Sequence, residues 1–246
     1  MTSVRPKLPL LRRLLKRLHP EGIPWPGAPL YNALVRVAIF QRHYDEVVRH
    51  VAALVPRGTI LDIGTGPAWV PIKLQQLCPA ARVIGLDVSI VMLAQARGNL
   101  IRRGLWGKVS LVGGNADLLP FADDSLDAIL STGSLHHWKR PEAALDEIHR
   151  VLRPGGFALL CDVVSDTPPA VLKETAQEHG RLKALFLWLH SFEEPFYSRR
   201  VLDALPTQSR FGGGKTIFLG PECCLMVRKT PNCRPVAAET PQALET

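Results

Sequence analysis

From residue 59 to residue 164, short apolar runs alternate with longer amphipathic stretches. The runs at 60–63, 83–87, 109–112, 126–132 and 157–164 are too short for helices and are bounded by Gly, Pro or Asp, so each predicts a buried strand. Between them, apolar residues recur at helical spacing. Helices are predicted over 70–77, with Pro67 opening the first turn, over 90–103, capped by Ser89, and over 141–152, opened by Pro141 and stopped by Arg153-Pro154-Gly155-Gly156. A preceding helix spans 30–55, with a break near Gln41-Arg42. Alternating strands and helices imply a parallel sheet with helices on both faces. After Pro168-Pro169 an insertion is read as helical to His190, followed by a short helix at 198–205. Strands at 215–219 and 223–228, joined by Gly220-Pro221, form an antiparallel hairpin that ends the sheet. The pattern gives one α/β domain over 30–229, with a cap at 168–197. A basic, Pro-rich segment occupies 1–29 and a disordered tail 230–246.

The first strand runs into a turn, Asp62-Ile63-Gly64-Thr65-Gly66. Strand, glycine turn and helix let a ligand reach bare backbone at the carboxyl edge of a sheet. Asp87 ends the second strand 21 residues after Gly66, about the spacing at which an acid meets ribose hydroxyls. The dinucleotide pattern calls for a third glycine where this chain has bulky Trp69, and Asp62 would repel phosphate. The turn therefore favours a phosphate-free, cationic nucleoside, a description that S-adenosylmethionine fits. These features argue against a nicotinamide oxidoreductase.

Charge changes the picture only at the amino end. The net charge is +8, yet six of the 30 bases (Arg5, Lys7, Arg12, Arg13, Lys16 and Arg17) precede residue 20, and the remaining 24 face 22 acids. The body is nearly neutral, and no nucleic-acid groove is expected. Within 7–18, Leu8, Leu11, Leu14, Leu15 and Leu18 alternate with bases in an amphipathic helix that suits an anionic membrane surface or packs on the domain. No apolar run is long enough to span a bilayer and no signal peptide is read, so a cytoplasmic protein is expected, with peripheral membrane contact as a further expectation. The five cysteines show no metal-type spacing and are read as reduced thiols. No metal site is expected.

Several further stretches fall in a fixed order: Gly85-Leu86-Asp87, Asn115-Ala116-Asp117-Leu118-Leu119-Pro120-Phe121, Ser125-Leu126-Asp127, Leu135-His136-His137-Trp138, and Glu147-Ile148-His149-Arg150-Val151-Leu152-Arg153-Pro154-Gly155-Gly156. With the glycine turn, this set resembles the class I S-adenosylmethionine-dependent methyltransferases. It is most similar to the small-molecule group that includes the quinone and sterol C-methyltransferases. The resemblance covers roughly residues 42–165. It implies a Rossmann-like seven-stranded sheet of order 3-2-1-4-5-7-6 with the last strand antiparallel. It also implies methyl transfer from S-adenosylmethionine to a small acceptor, with S-adenosylhomocysteine as the product; a lipid- or quinone-like acceptor is a further expectation raised by the basic leucine helix at 7–18. Carried over by position, Asp62 holds the ammonium of the methionine part, and Gly64, Thr65 and Gly66 lie along it. Asp87 bridges the ribose, Val88 packs on the adenine, Asn115 and Ala116 serve its polar edge, and Ser131 completes the set. A non-catalytic module of the same fold is the alternative.

His136 and His137 follow the fourth strand, where the transferred methyl group should point. Imidazole titrates near neutrality, so either ring is a candidate base, and shaping of the pocket is the competing reading. Trp138 is read as packing. Asp146, Glu147 and Arg150 are read as solvated or intrahelical pairs. Trp25, Tyr31 and Tyr44, together with the insertion, are read as the lid and acceptor pocket.

Overall fold

The structure is a computed structural model that describes residues 38–180 and 197–231. Seven strands form one sheet in the order β3-β2-β1-β4-β5-β7-β6. They are β1 (Gly58–Ile63), β2 (Ala81–Asp87), β3 (Val109–Gly113), β4 (Leu126–Thr132), β5 (Leu152–Asp162), β6 (Lys215–Leu219) and β7 (Glu222–Arg228). The first five are parallel, and β7 runs antiparallel to both its neighbours. The helices are α1 (Ala38–Leu54), α2 (Trp69–Leu77), α3 (Ile90–Arg102), α4 (Pro141–Val151), α5 (Pro169–His179) and α6 (Arg199–Ala204).

Successive strand residues face opposite sides of the sheet. Leu61, Ile84, Ile129 and Leu160 therefore join one core with Leu145 and Ile148 of α4. Ile60, Val83, Leu130 and Leu159 join the other, with Val47 and Val51 of α1 and Ile72 and Leu74 of α2. Burial on both faces explains why the strands read as unbroken apolar runs. The same rule separates Cys223 from Cys224, which lie in different cores.

Four local readings are corrected. Pro67 sits in the turn, and α2 begins at Trp69, whose ring is buried in the second core. The stretch Arg153-Pro154-Gly155-Gly156 does not end the secondary structure. It lies within β5 as an irregularity between the pairs Leu126–Leu152 and Ala128–Phe157. Helix α1 is continuous through Gln41-Arg42 because His43, Tyr44, Val47, Val48 and Val51 form one buried face, which also places Tyr44 in the core rather than in a lid. Cys161 and Cys224 are not separate thiols. They stand opposite each other in β5 and β7 and form a disulfide, while Cys78 and Cys223 are free. The expected helix at 7–18, the loop with Trp25 and Tyr31, the insertion from residue 181 and the tail from residue 232 lie outside the described residues.

Helix α1 is fastened to the end of the sheet by His43. Its Nδ1 is 3.1 Å from the carbonyl of Leu219, and its Nε2 is 2.9 Å from the Glu222 carboxylate. Burial works against charge on His43, but Glu222, Glu46 and the Leu219 carbonyl outweigh it and raise its pKa. A group with a raised folded-state pKa contributes its full stability below the ordinary value, and that contribution fades as pH climbs through the folded value. The Tm gap between wild type and His43→Gln should therefore be wider at pH 6 than at pH 9, which thermal unfolding followed by circular dichroism will check.

Candidate active site

The turn after β1 is built on backbone that ordinary residues avoid. Gly64 has φ 72°, Gly66 50° and Ala68 63°. A side chain at Gly64 would collide with Ser134, so the absence of one lets the loops after β1 and β4 meet. Ala68 stands where many proteins of the resembling family have glycine, and its left-handed conformation costs about 1 kcal/mol. The amides of Gly64 and Thr65 both donate to the Leu86 carbonyl, at 2.8 and 2.9 Å. The Gly66 amide donates to Asp87 Oδ2 at 2.7 Å, and the Ser89 amide to Oδ1 at 2.8 Å. The Thr65 side chain lies over Gly85, where an added Cβ would come within 2.8 Å of the hydroxyl. The turn is thus stitched to the end of β2.

Two buried carboxylates flank this turn. Asp62 is 1% exposed and Asp87 6%. Among the described residues Asp62 Oδ1 has no hydrogen-bond partner and no cation pairs with either acid. Burial pushes Asp62 up to about 7; the Thr65 hydroxyl opposes the shift and the Asp87 charge adds to it. Burial also raises Asp87, against the pull of the amides bonded to it. An edge of this kind attracts positive charge and repels phosphate.

Beyond Asp87, apolar side chains face solvent: Val88 is 45% exposed, Ile90 82% and Leu118 75%. Asn115 is half-buried at the start of the loop after β3, and Ala116 is buried. That loop is clamped from α4. Arg150 donates to the carbonyls of Leu119 and Phe121 at 3.0 and 2.9 Å, and Glu147 accepts the Leu119 amide at 2.9 Å while pairing with Arg150. The Glu147–Arg150 pair is therefore intrahelical, as read, and is also an anchor for the segment carrying Asn115 and Ala116. Ser131 is fully buried. Its hydroxyl lies 2.7 Å from that of Ser134, which in turn donates to the Ile63 carbonyl at 3.2 Å, so Ser131 acts on the glycine turn through Ser134.

The histidines lie in a short 3₁₀ turn, Leu135–His137, just past β4. His136 is buried, His137 half-buried, and their ring centroids are 3.9 Å apart. The carboxylate of Asp162, at the end of β5, accepts the His136 amide at 2.9 Å and lies 2.9 and 3.1 Å from His136 Nδ1. Sequence reasoning missed Asp162. The available signal was a third acid ending a core strand, after Asp62 and Asp87. Trp138 packs in the first core. No group suited to a metal occurs among the described residues.

This sheet order and this edge define the class I S-adenosylmethionine-dependent methyltransferase fold. Residues 61–160 match the family described as "Methyltransferase domain". The ubiquinone/menaquinone biosynthesis C-methyltransferase of Syntrophotalea carbinolica is 32% identical over 144 residues, 58% of this chain and 60% of that protein. The arsenite methyltransferase of Halobacterium salinarum is 32% identical over 118 residues, 48% of this chain and 30% of that one. The chain thus spans three fifths or less of these relatives. A solved methyltransferase from Aquifex aeolicus superposes with a TM-score of 0.61 at 17% identity, covering 81% of this chain and 97% of that one, a likeness of fold.

The elevated pKa of Asp62 makes binding of a cationic donor pH-dependent. Below about pH 7 the ligand must displace a proton; above it the carboxylate is already charged. S-adenosylmethionine should bind up to ~10-fold tighter at pH 8 than at pH 6, and Asp62→Asn should flatten that dependence. Calorimetric titration at the two pH values will check it.

Proposed function

We propose that this chain is an enzyme that moves a methyl group from S-adenosylmethionine to a small acceptor of the quinone type. The observation that carries the reading is the pair of buried carboxylates, Asp62 and Asp87, beside bare backbone with no described cation to neutralise them. The residues fit the donor. Among the described residues Asp62 Oδ1 lacks a partner and suits an ammonium, and Asp87, which accepts the Gly66, Ser89 and Val88 amides, keeps acceptor capacity for a ribose hydroxyl. Gly64, Thr65 and Gly66 would line the methionine part, with Val88, Asn115 and Ala116 around the adenine. When bound, S-adenosylmethionine supplies an electrophilic methyl group on a sulfonium. The chain's own contribution is to align the acceptor, exclude water and manage its proton, with His136 and His137 as the candidate bases.

The quinone class is supported by the Syntrophotalea relative, which matches twice the share of its own length that the arsenite enzyme does. The basic leucine stretch at 7–18 supports a cytoplasmic enzyme held peripherally at an anionic membrane, where such acceptors reside. No described helix is long and apolar enough to cross a membrane.

The direct test supplies the full chain with methyl-labelled S-adenosylmethionine and a reduced naphthoquinone. Label should appear in the organic extract, and Asp87→Ala should reduce it at least ~100-fold. Donor binding without transfer to any quinol would contradict the acceptor class and favour a non-catalytic module.

A further inference from the structure

A cleft of about 650 Å³ opens at the amino edge of the sheet, where α2 ends and β2 begins. Its walls include Gln75 and Gln76 of α2, Pro79, Arg82 of β2, and Leu105 and Lys108 from the segment before β3. Strand β2 is seven residues long, so the cleft lies about 20 Å from Asp87 and the glycine turn at the strand's other end. Its size suits a small organic molecule. None of the residues assigned to the methyl donor lines it.

One buried polar group in this wall is left over. Gln75 is 6% exposed, and its Nε2 donates to the Pro79 carbonyl at 3.2 Å. That bond fixes which way round the amide lies, because an oxygen turned to the carbonyl would be repelled. Oε1 then has no partner among the described residues. A buried acceptor without a donor costs free energy, and an O–H of a ligand removes that cost. Charge at the mouth is one-sided. Val83 and Val109 form the first rung between β2 and β3, and Arg82 and Lys108 immediately precede them, both exposed. Neither pairs with an acid among the described residues. The other bases nearby are engaged: Arg102 donates to Asn99, and Arg97 and Arg103 lie over the rings of Trp106 and Trp69. No acid lines the cleft, and none occurs in the sequence from residue 88 to residue 116. Two neighbouring cations repel, and one dianion offsets both.

We propose that this cleft binds the phosphate monoester of a small hydroxylated molecule. The phosphate is close to a dianion at neutral pH and lies between Arg82 and Lys108. A hydroxyl of the organic part donates to Gln75 Oε1, and Pro79 and Leu105 form the apolar wall beside its carbon chain. A carboxylate leaves one of the two cations unmatched. An alkyl phosphate without a hydroxyl leaves Oε1 bare. The two requirements together are what select the ligand. The site uses no group of the carboxyl edge, so it stands or falls apart from the methyltransferase reading.

The test titrates the uniformly ¹⁵N-labelled full chain with three probes: glycerol 3-phosphate, n-propyl phosphate and glycerol. Glycerol 3-phosphate should give saturable amide shifts confined to the cleft, with a Kd on the order of 1 mM or below. Propyl phosphate, which lacks the hydroxyls, should bind about 10-fold more weakly, and glycerol should not bind. Gln75→Leu should bring the two phosphates to the same affinity. Gln75 is buried, so a second variant guards against misfolding: Arg82→Glu with Lys108→Glu changes only exposed side chains. It should weaken both phosphates at least ~10-fold while leaving the Tm and the affinity for S-adenosylmethionine unchanged. Equal binding of the two phosphates by the wild-type chain would overturn the proposal. So would binding that survives Arg82→Glu with Lys108→Glu, or the absence of any shift. Shifts that scatter over the surface without saturating would mean an adventitious ion only, and would overturn it as well.

Discussion

The bond from the Gly66 amide to the Asp87 carboxylate fixes the shape of the site. It spans 2.7 Å and joins the turn after β1 to the end of β2. With the Gly64 and Thr65 amides on the Leu86 carbonyl, it holds the turn tight against the sheet while leaving Asp62 partly unsatisfied beneath it. A carboxylate left in that condition has its pKa raised, and a positively charged ligand relieves the penalty of burying it. Among the described residues no basic side chain pairs with these acids, and an arrangement of acids and amides of this kind suits a cation better than a phosphate.

Everything else at this edge keeps the loops in register with that turn. The Ser131–Ser134–Ile63 chain of hydrogen bonds ties the end of β4 to the end of β1, and Asp162 ties the end of β5 to the turn that follows β4. From below, Glu147 and Arg150 of α4 hold the loop after β3. Three of these anchors belong to parallel strands whose side chains are buried on both faces, so the two cores set the positions from which the polar groups reach the edge. A rigid scaffold with the chemistry placed at the strand ends is the general arrangement of open α/β sheets.

The strands and the glycine turn were legible in the sequence because they rest on local signals: apolar runs of limited length, glycines where φ must be positive, and an acid at the right distance; the order of the strands came only with the family resemblance. What was missed depended on contacts between distant segments. Pro67 was expected to open α2, but Ala68 takes a left-handed conformation and the helix starts after it. The Arg153-Pro154-Gly155-Gly156 stretch looked like a stop, yet Gly155 and Gly156 bond to Lys229 and the strand continues around the irregularity. The disulfide between Cys161 and Cys224 requires the register of β5 on β7, which no spacing of cysteines reveals. Asp162 escaped notice for the same reason: its partner lies 26 residues away on the loop after a neighbouring strand.

The central claim is that this edge receives a cationic adenosyl donor rather than a dinucleotide. The most direct measurement is parallel calorimetric titration of the full chain with S-adenosylmethionine, S-adenosylhomocysteine and NAD. The account predicts saturable one-site binding of the first two, with none of the third. Binding of NAD with neither adenosyl compound competing would contradict it.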